Sequence, residues 1–425
     1  MNVHLFPERA AWPELMQRPT LDTSALETIV INILKVVKEE GDEGVRRYTH
    51  QFDQAEIEDL LVSEQEFFTA ENELDTDLKA AIQLAKGNIE RFHSLQQEPV
   101  QEVETMPGVR CWRKSVPIEK VGLYIPGGTA PLFSTVLMLG VPAALAGCKE
   151  VILCTPPRTD GSVHPAVLYA ARLSGIRNVF KVGGVQAIAA MAYGTESIPA
   201  VYKIFGPGNQ YVTCAKQLVQ RQGISIDMPA GPSEVLVCAD HTAQPAFVAA
   251  DLLSQAEHGA DSQVVLIAFE EAMVQAVLAE IAQQIESLPR CEIAKSAMAN
   301  SIAVVLPNRS EATDFINAYA PEHLILAVEE AGAFSAGITN AGSVFLGHYT
   351  PESAGDYASG TNHTLPTNGF ARTFSGVSLD SFVKKITFQE ISREGLELLG
   401  PAVMRMAEAE ALDAHSKAVS IRLKH

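Results

Sequence analysis

A chain of 425 residues is too long for a single compact core, so two or more domains are expected. Its 47% hydrophobic and 20% charged residues describe an ordinary soluble globular protein. The formal charge of −19 argues against a nucleic-acid or anionic-membrane surface, since both need clustered Lys and Arg.

From the N-terminus, residues 1–18 carry Pro7 and Pro13 and read as a poorly packed arm. Met1 to Glu8 lacks a basic segment followed by an apolar one, and no apolar run reaches membrane-span length, so a cytoplasmic protein is expected. Residues 20–98 are polar and periodic, as in Ile29, Ile33, Leu34 and Val37, and predict helices. The pattern then changes. Strands are predicted at Lys120 to Ile125, Val151 to Cys154, Val179 to Val182 and Tyr202 to Phe205. Each ends in a Gly- or Pro-rich turn and alternates with helices at Leu132 to Ala146, Ala166 to Leu173, Val185 to Tyr193 and Gln210 to Gln220. After Ser233 the rhythm resumes, with strands at Val235 to Cys238, Val264 to Phe269, Ile302 to Leu306 and Leu324 to Val328. The intervening helices are Phe247 to Glu257, Ala272 to Ile285 and Glu311 to Tyr319. This alternation predicts an α/β protein with two Rossmann-like parallel-sheet units that meet near Ser233. Beyond Thr373 the pattern loosens, and Phe388 to Leu399 and Val403 to Ser416 read as helices of a C-terminal arm. The six cysteines form no Cys-x-x-Cys pair, as in a protein with reduced thiols, and Cys148 and Cys154 read as core residues.

The most informative stretch runs from Ile226 to Gly259. A Pro/Gly turn, Asp227 to Glu234, feeds an apolar run, and Asp251, Gln255 and His258 follow at i, i+4 and i+7. On a helix these three share one stripe beside apolar Leu252, Leu253 and Ala256, which suggests a site. In open parallel sheets ligands bind at the carboxyl ends of strands. The turns Gly127-Gly128-Thr129, Gly183-Gly184 and Gly206-Pro207-Gly208 permit an anion at a helix N-terminus, although none is a full dinucleotide fingerprint. They read equally as tight turns that need glycine. Glu322-His323 can act as two proton-transfer groups or be a surface turn. Residues 351–367 read as a long loop with Asp356 and His363 among small residues. Glu410 and His415 sit on the arm and, on one continuous helix, would point about 140° apart. Gln255 and His258 supply half a metal site, and Asp356 and His415 could complete four ligands, though spacing alone does not bring them together.

Together these segments resemble the histidinol dehydrogenases over nearly the whole chain. The most specific matches are Ile226 to Glu234, Asp251 to His258, Pro321 to Leu324, Ser343 to Gly347 and Pro351 to His363. The resemblance implies oxidation of L-histidinol through the aldehyde to L-histidine with two NAD⁺, the final steps of histidine biosynthesis. It implies Zn²⁺ on Gln255, His258, Asp356 and His415, with His323 as base and Glu322 activating water. Substrate contacts would fall on Ser233, His323, His363 and Glu410 besides the metal ligands, and NAD⁺ contacts on Tyr124, Gln186 and Asn209. It also implies an intertwined homodimer in which each site takes Glu410 and His415 from the other subunit, leaving Asp251 a structural or orienting role. The expected organisation is an N-terminal arm (1–18), a discontinuous catalytic domain (19–123 and 234–375), an NAD-side domain (124–233) and a helical arm (376–425) for dimer exchange. Two other readings compete. A zinc hydrolase on Gln255, His258 and Asp356 lacks a motif such as His-Glu-x-x-His. A non-catalytic nucleotide-binding module would leave Glu322-His323 idle.

Overall fold

The computed structural model describes residues 1–19, 23–127, 131–229 and 231–424. Gly128 and Thr129 of the first Gly-rich turn, and Ala230 of the Pro/Gly turn, lie outside the described residues. Two parallel sheets form the frame. The first has the order Asn178–Lys181, Glu150–Thr155, Lys120–Tyr124, Lys203–Phe205, Ser225–Ile226. Numbered along the chain this is 3-2-1-4-5, so the winding reverses between Lys120–Tyr124 and Lys203–Phe205. These strands are near-continuous apolar runs because helices cover both faces of the sheet.

The second sheet has the order Asn2–Leu5, Ile302–Val305, Gln263–Ala268, Glu234–Ala239, His323–Ala327, Ser343–Leu346, and all pairs are parallel. It repeats the same winding and adds the N-terminal strand at its edge. The reading of residues 1–18 as a poorly packed arm is therefore corrected. Asn2–Leu5 pairs with Ile302–Val305, and Trp12 is buried edge-to-face on Phe315. Four strand-forming residues before Pro7 were too short a pattern to read.

The grouping of residues 19–123 with the second sheet does not match the packing. Thr23–Glu40 lies on Gly184–Tyr193 and Gln210–Gln220, Glu64–Glu73 on Pro165–Leu173, and Thr76–Ser94 on Phe133–Ala146. Ile33, Phe67 and Ile89 thus share cores with the five-stranded sheet. The C-terminal arm also differs from the helical reading. Val383–Ile391 is a strand that pairs antiparallel with Val109–Pro117, which in turn pairs with Glu102–Met106. Helices follow at Arg393–Ala409 and Asp413–Arg422, broken at Glu410–Leu412, where Ala411 has φ 58°. Glu410 and His415 are therefore not on one continuous helix, and both are exposed.

Gly206 shows how the first sheet holds a turn at its winding reversal. Its φ is 130°, and a Cβ there would run into the Tyr124 carbonyl. Asp227 accepts the Gly206 N–H (2.7 Å), the Lys216 ammonium donates to the Gly206 carbonyl (2.8 Å), and Lys216 and Asp227 form a buried ion pair. Both polar groups of the glycine are satisfied by side chains that neutralise each other. Asp227, the first acid of the Pro/Gly turn, is thereby a clamp on the neighbouring turn.

Candidate active site

Glu322 and His323 stand at the start of the strand His323–Ala327, beside Glu234 at the start of Glu234–Ala239. The cluster thus lies at the amino ends of its strands, opposite to the carboxyl-end rule used above. Its location follows from the loops that face it, which come from Glu352–Tyr357 and residues 358–368. Both residues of the pair are buried, with Glu322 6% and His323 3% exposed, so the surface-turn reading fails.

The histidine ring is fixed by a backbone acceptor. Its Nδ1 lies 3.1 Å from the Glu234 carbonyl, which can only accept, so Nδ1 carries hydrogen. Nε2 then faces Asp356 Oδ1 at 3.4 Å, in ion-pair range but outside hydrogen-bond geometry. Among the described residues neither atom has a hydrogen-bond partner, and Glu352 Oε2 is likewise buried and unpaired. Ligand atoms of His323, Glu352 and Asp356 lie within 4.8 Å of one another. Three buried, unsatisfied Lewis-basic atoms aimed at one point are a poor structural arrangement and a good cation or substrate site. The electrostatics agree. Burial pulls the His323 pKa down, but the Glu352 and Glu322 charges outweigh it and hold the imidazole well above its ordinary value. Burial pushes the Glu352 carboxyl well up, whereas His323 holds Asp356 below its usual range against the burial cost.

Gln255 is 1% exposed and packs into the same cluster. One of its amide atoms lies 2.7 Å from Glu352 Oε1 and the other 3.1 Å from the Glu234 N–H. Hydrogen bonding alone favours nitrogen toward Glu352. Glu322 Oε2 accepts the Glu234 N–H at 2.8 Å. His363 Nδ1 donates to the Asp356 carbonyl (2.7 Å), and its Nε2 pairs with Thr135 Oγ1 (3.0 Å). Thr135 belongs to the helix Phe133–Ala146 of the other unit, so the site lies between the two sheets.

The predicted stripe is only partly helical. Pro245–Ala256 ends before His258, which is exposed, one turn beyond, and close enough to Asp356 to lower its pKa further. Asp251 is on the helix, and burial pushes its carboxyl up to about 7. Ser233 precedes Glu234 and is half-buried. Glu410 and His415 are not brought to this cluster within the chain.

Four residues of the site were not singled out in the sequence. Glu352 lies four residues before Asp356 on Glu352–Tyr357, so both carboxylates share one helical face. That i, i+4 spacing after Pro351 was a readable signal within what looked like a loop. Thr135, and Arg18 with its partner Glu234, left none.

Tyr124, Gln186 and Asn209 do come together, lining one cavity of about 940 Å³ at the winding reversal of the five-stranded sheet. Asn209 caps Gln210–Gln220 by accepting the Tyr211 and Val212 N–H groups. The Tyr124 hydroxyl accepts the Gly184 N–H at 3.1 Å.

Two Rossmann-like sheets enclosing a buried histidine–carboxylate cluster, with a separate cavity at a winding reversal, define an α/β protein with two candidate ligand sites. The family model for histidinol dehydrogenase matches residues 16–423. A histidinol dehydrogenase from Bacteroides fragilis is 58% identical over 424 residues, covering 100% of this chain and 99% of that protein. A chloroplastic histidinol dehydrogenase from Arabidopsis thaliana is 53% identical over 413 residues, covering 96% and 88% respectively. The crystal structure of histidinol dehydrogenase from Elizabethkingia anophelis superposes with a TM-score of 0.98 at 55% identity, covering 100% of this chain and 98% of that one. The chain belongs to the histidinol dehydrogenase family, a family of oxidoreductases acting on histidinol. Among the described residues no helix is long and apolar enough to cross a membrane.

Proposed function

We propose that the protein oxidises L-histidinol through L-histidinal to L-histidine with two NAD⁺, as a zinc-dependent cytoplasmic homodimer. The observation that carries the reading is the His323 ring, oriented by the Glu234 carbonyl so that Nε2 faces the buried carboxylates. In the first step neutral His323 Nε2 takes the hydroxyl proton while the carbinol hydrogen leaves as hydride to NAD⁺. In the second, Glu322 takes a proton from water adding to the aldehyde, and the hydrate loses a second hydride. Each oxidation yields one NADH and one proton. Because the aldehyde must not escape, one enclosed site serves both steps.

The residues fit a divalent cation. Asp356 and Gln255 bring oxygen donors to the cluster, and His258 is near Asp356. With its oxygen toward Glu352, the Gln255 amide faces another acceptor at 2.7 Å, a pairing that a cation satisfies and a hydrogen bond does not. Gln255, His258, Asp356 and His415 would hold Zn²⁺, which would orient the imidazole and amine of the substrate. His363, Ser233 and Glu410 would complete the substrate contacts. Glu352 would orient Gln255 from behind.

Glu410 and His415 reach the site only if a second copy supplies them. The C-terminal arm is suited to this, since it exposes Leu398 (58%) and Met406 (65%) on a segment with few contacts to its own body. A heterodimer of a His415→Ala chain and a Glu322→Gln chain is expected to carry one good site in two. Activity no higher than either parent homodimer would remove the exchange.

Following NADH absorbance with L-histidinol tests the reading as a whole. Two NADH per histidinol, lost on chelation and restored by zinc, is the expected result. No NADH at any histidinol concentration defeats it, and amide or ester hydrolysis without NAD⁺ would favour the hydrolase.

A further inference from the structure

We infer that Asp53 binds the adenosine ribose diol of the dinucleotide and sets a preference for NAD⁺ over NADP⁺. The inference rests on the dinucleotide reading above. Asp53 is the last residue of the helix Asp42–Asp53 and lines the 940 Å³ cavity together with Gln186 and Asn209.

Structurally it is badly placed. A carboxylate at a helix C-terminus opposes the helix dipole. Its Oδ2 is buried without a hydrogen-bond partner among the described residues. Burial pushes the carboxyl up to about 6, with no charged group offsetting it. Gln186, 1% exposed, lines the same cavity, and both its amide atoms are buried without a partner among the described residues. An acceptor-only group and an amide that both donates and accepts, lining one cavity, match a pair of vicinal hydroxyls. Buried polar atoms left unpaired by the fold are satisfied when such a ligand binds.

The location selects which ribose. The cavity shares no lining residue with the cluster around His323. The nicotinamide must reach that cluster to accept hydride, so the cavity takes the other half of the molecule. Phe52 and Pro156 supply apolar walls for the base. A 2′-phosphate beside Asp53 would meet a like charge and lose a diol hydroxyl. Arg158 also lines the cavity, so removing the Asp53 charge leaves a wall that suits a phosphate.

The test uses the intact protein and the Asp53→Asn variant, with binding of NADH and of NADPH followed by nucleotide fluorescence. In the variant the NADH Kd should rise tenfold or more and the NADPH Kd stay or fall, so the preference ratio drops at least tenfold. The KM for L-histidinol should be unchanged. The melting temperature without nucleotide should stay or rise, which a structural carboxylate would not give. If Asp53→Asn does not fold, Asp53→Ser takes its place in the same measurement. A preference ratio within twofold of wild type, with wild type binding NADH, overturns the role of Asp53 and leaves the dinucleotide reading intact. Failure of the wild-type protein to bind NADH overturns the dinucleotide reading itself.

Discussion

Replacing His323 by Asn is expected to lower kcat for NADH formation by about 10²–10⁴, the usual loss when a positioned general base is removed. Asparagine keeps a donor for the Glu234 carbonyl, now at 3.1 Å from Nδ1, but has no basic nitrogen where Nε2 faces Asp356. KM for L-histidinol should change less than kcat, because in the proposed site the metal and most substrate contacts fall on other residues. The pH profile supplies the sharper sign. A base acts when neutral, so wild-type activity falls toward acid as the imidazole protonates. Carboxylates on Glu352 and Glu322 favour that protonation. In the variant this acid limb should vanish along with the rate. Activity within threefold of wild type, with the acid limb intact, would assign the base elsewhere and reduce His323 to a packing residue. His323 is 3% exposed, so external imidazole is a poor rescue agent here.

The two parallel sheets were legible because their strands are buried on both faces and end in glycine or proline, so periodicity and punctuation agree. What escaped has specific causes. The antiparallel sheet joins a hairpin, Glu102–Met106 and Val109–Pro117 about the turn Pro107-Gly108, to the distant strand Val383–Ile391; the strands are largely exposed, so no buried run marked them, and no local turn marked the long-range pairing. Phe388 to Ile391 read as the start of a helix for the same reason. In the site, Glu322, His323, Gln255 and Asp356 were readable, and the structure brings them together. Their meaning was not readable from spacing. Only the fold shows that the histidine is oriented by a backbone carbonyl 89 residues away in sequence. Glu352 hid in a short helix that resembled a loop, and Glu234 hid in an apolar strand. His258 continues the helical stripe in sequence but not in space, because the helix ends at Ala256.

Arg18 is the clearest case of a residue whose importance no local pattern reveals. Its guanidinium donates to Glu234 at 2.5 and 2.9 Å and to the Tyr319 carbonyl at 2.9 Å, and stacks 4.0 Å from the Tyr319 ring centroid. The side chains are 12% and 3% exposed. Arg18→Ala leaves Glu234 as a buried carboxylate with only the Asn368 N–H (2.8 Å) as a donor among the described residues, and should cost roughly 3–5 kcal/mol of stability near neutral pH. The pH dependence has a definite sign. Burial already raises the Glu234 pKa in the presence of Arg18, and removing the cation raises it further. A carboxyl whose folded pKa exceeds its unfolded value destabilises the fold above the unfolded pKa, and the penalty fades as falling pH protonates it. The gap between Arg18→Ala and wild type, measured by urea denaturation, should therefore narrow from pH 8 to pH 5. Adding Glu234→Gln to Arg18→Met removes both charges and should recover most of the loss, since an apolar or neutral replacement of a buried pair is often tolerated. Activity should not return equally. The Glu234 backbone holds His323 through its carbonyl and Glu322 through its N–H, so its position sets the geometry of both proposed catalytic groups. Recovery of stability with persistent loss of kcat would show that the N-terminal segment, through Arg18, positions the pair; a single-variant cost below about 1 kcal/mol would place Arg18 among ordinary surface ion pairs.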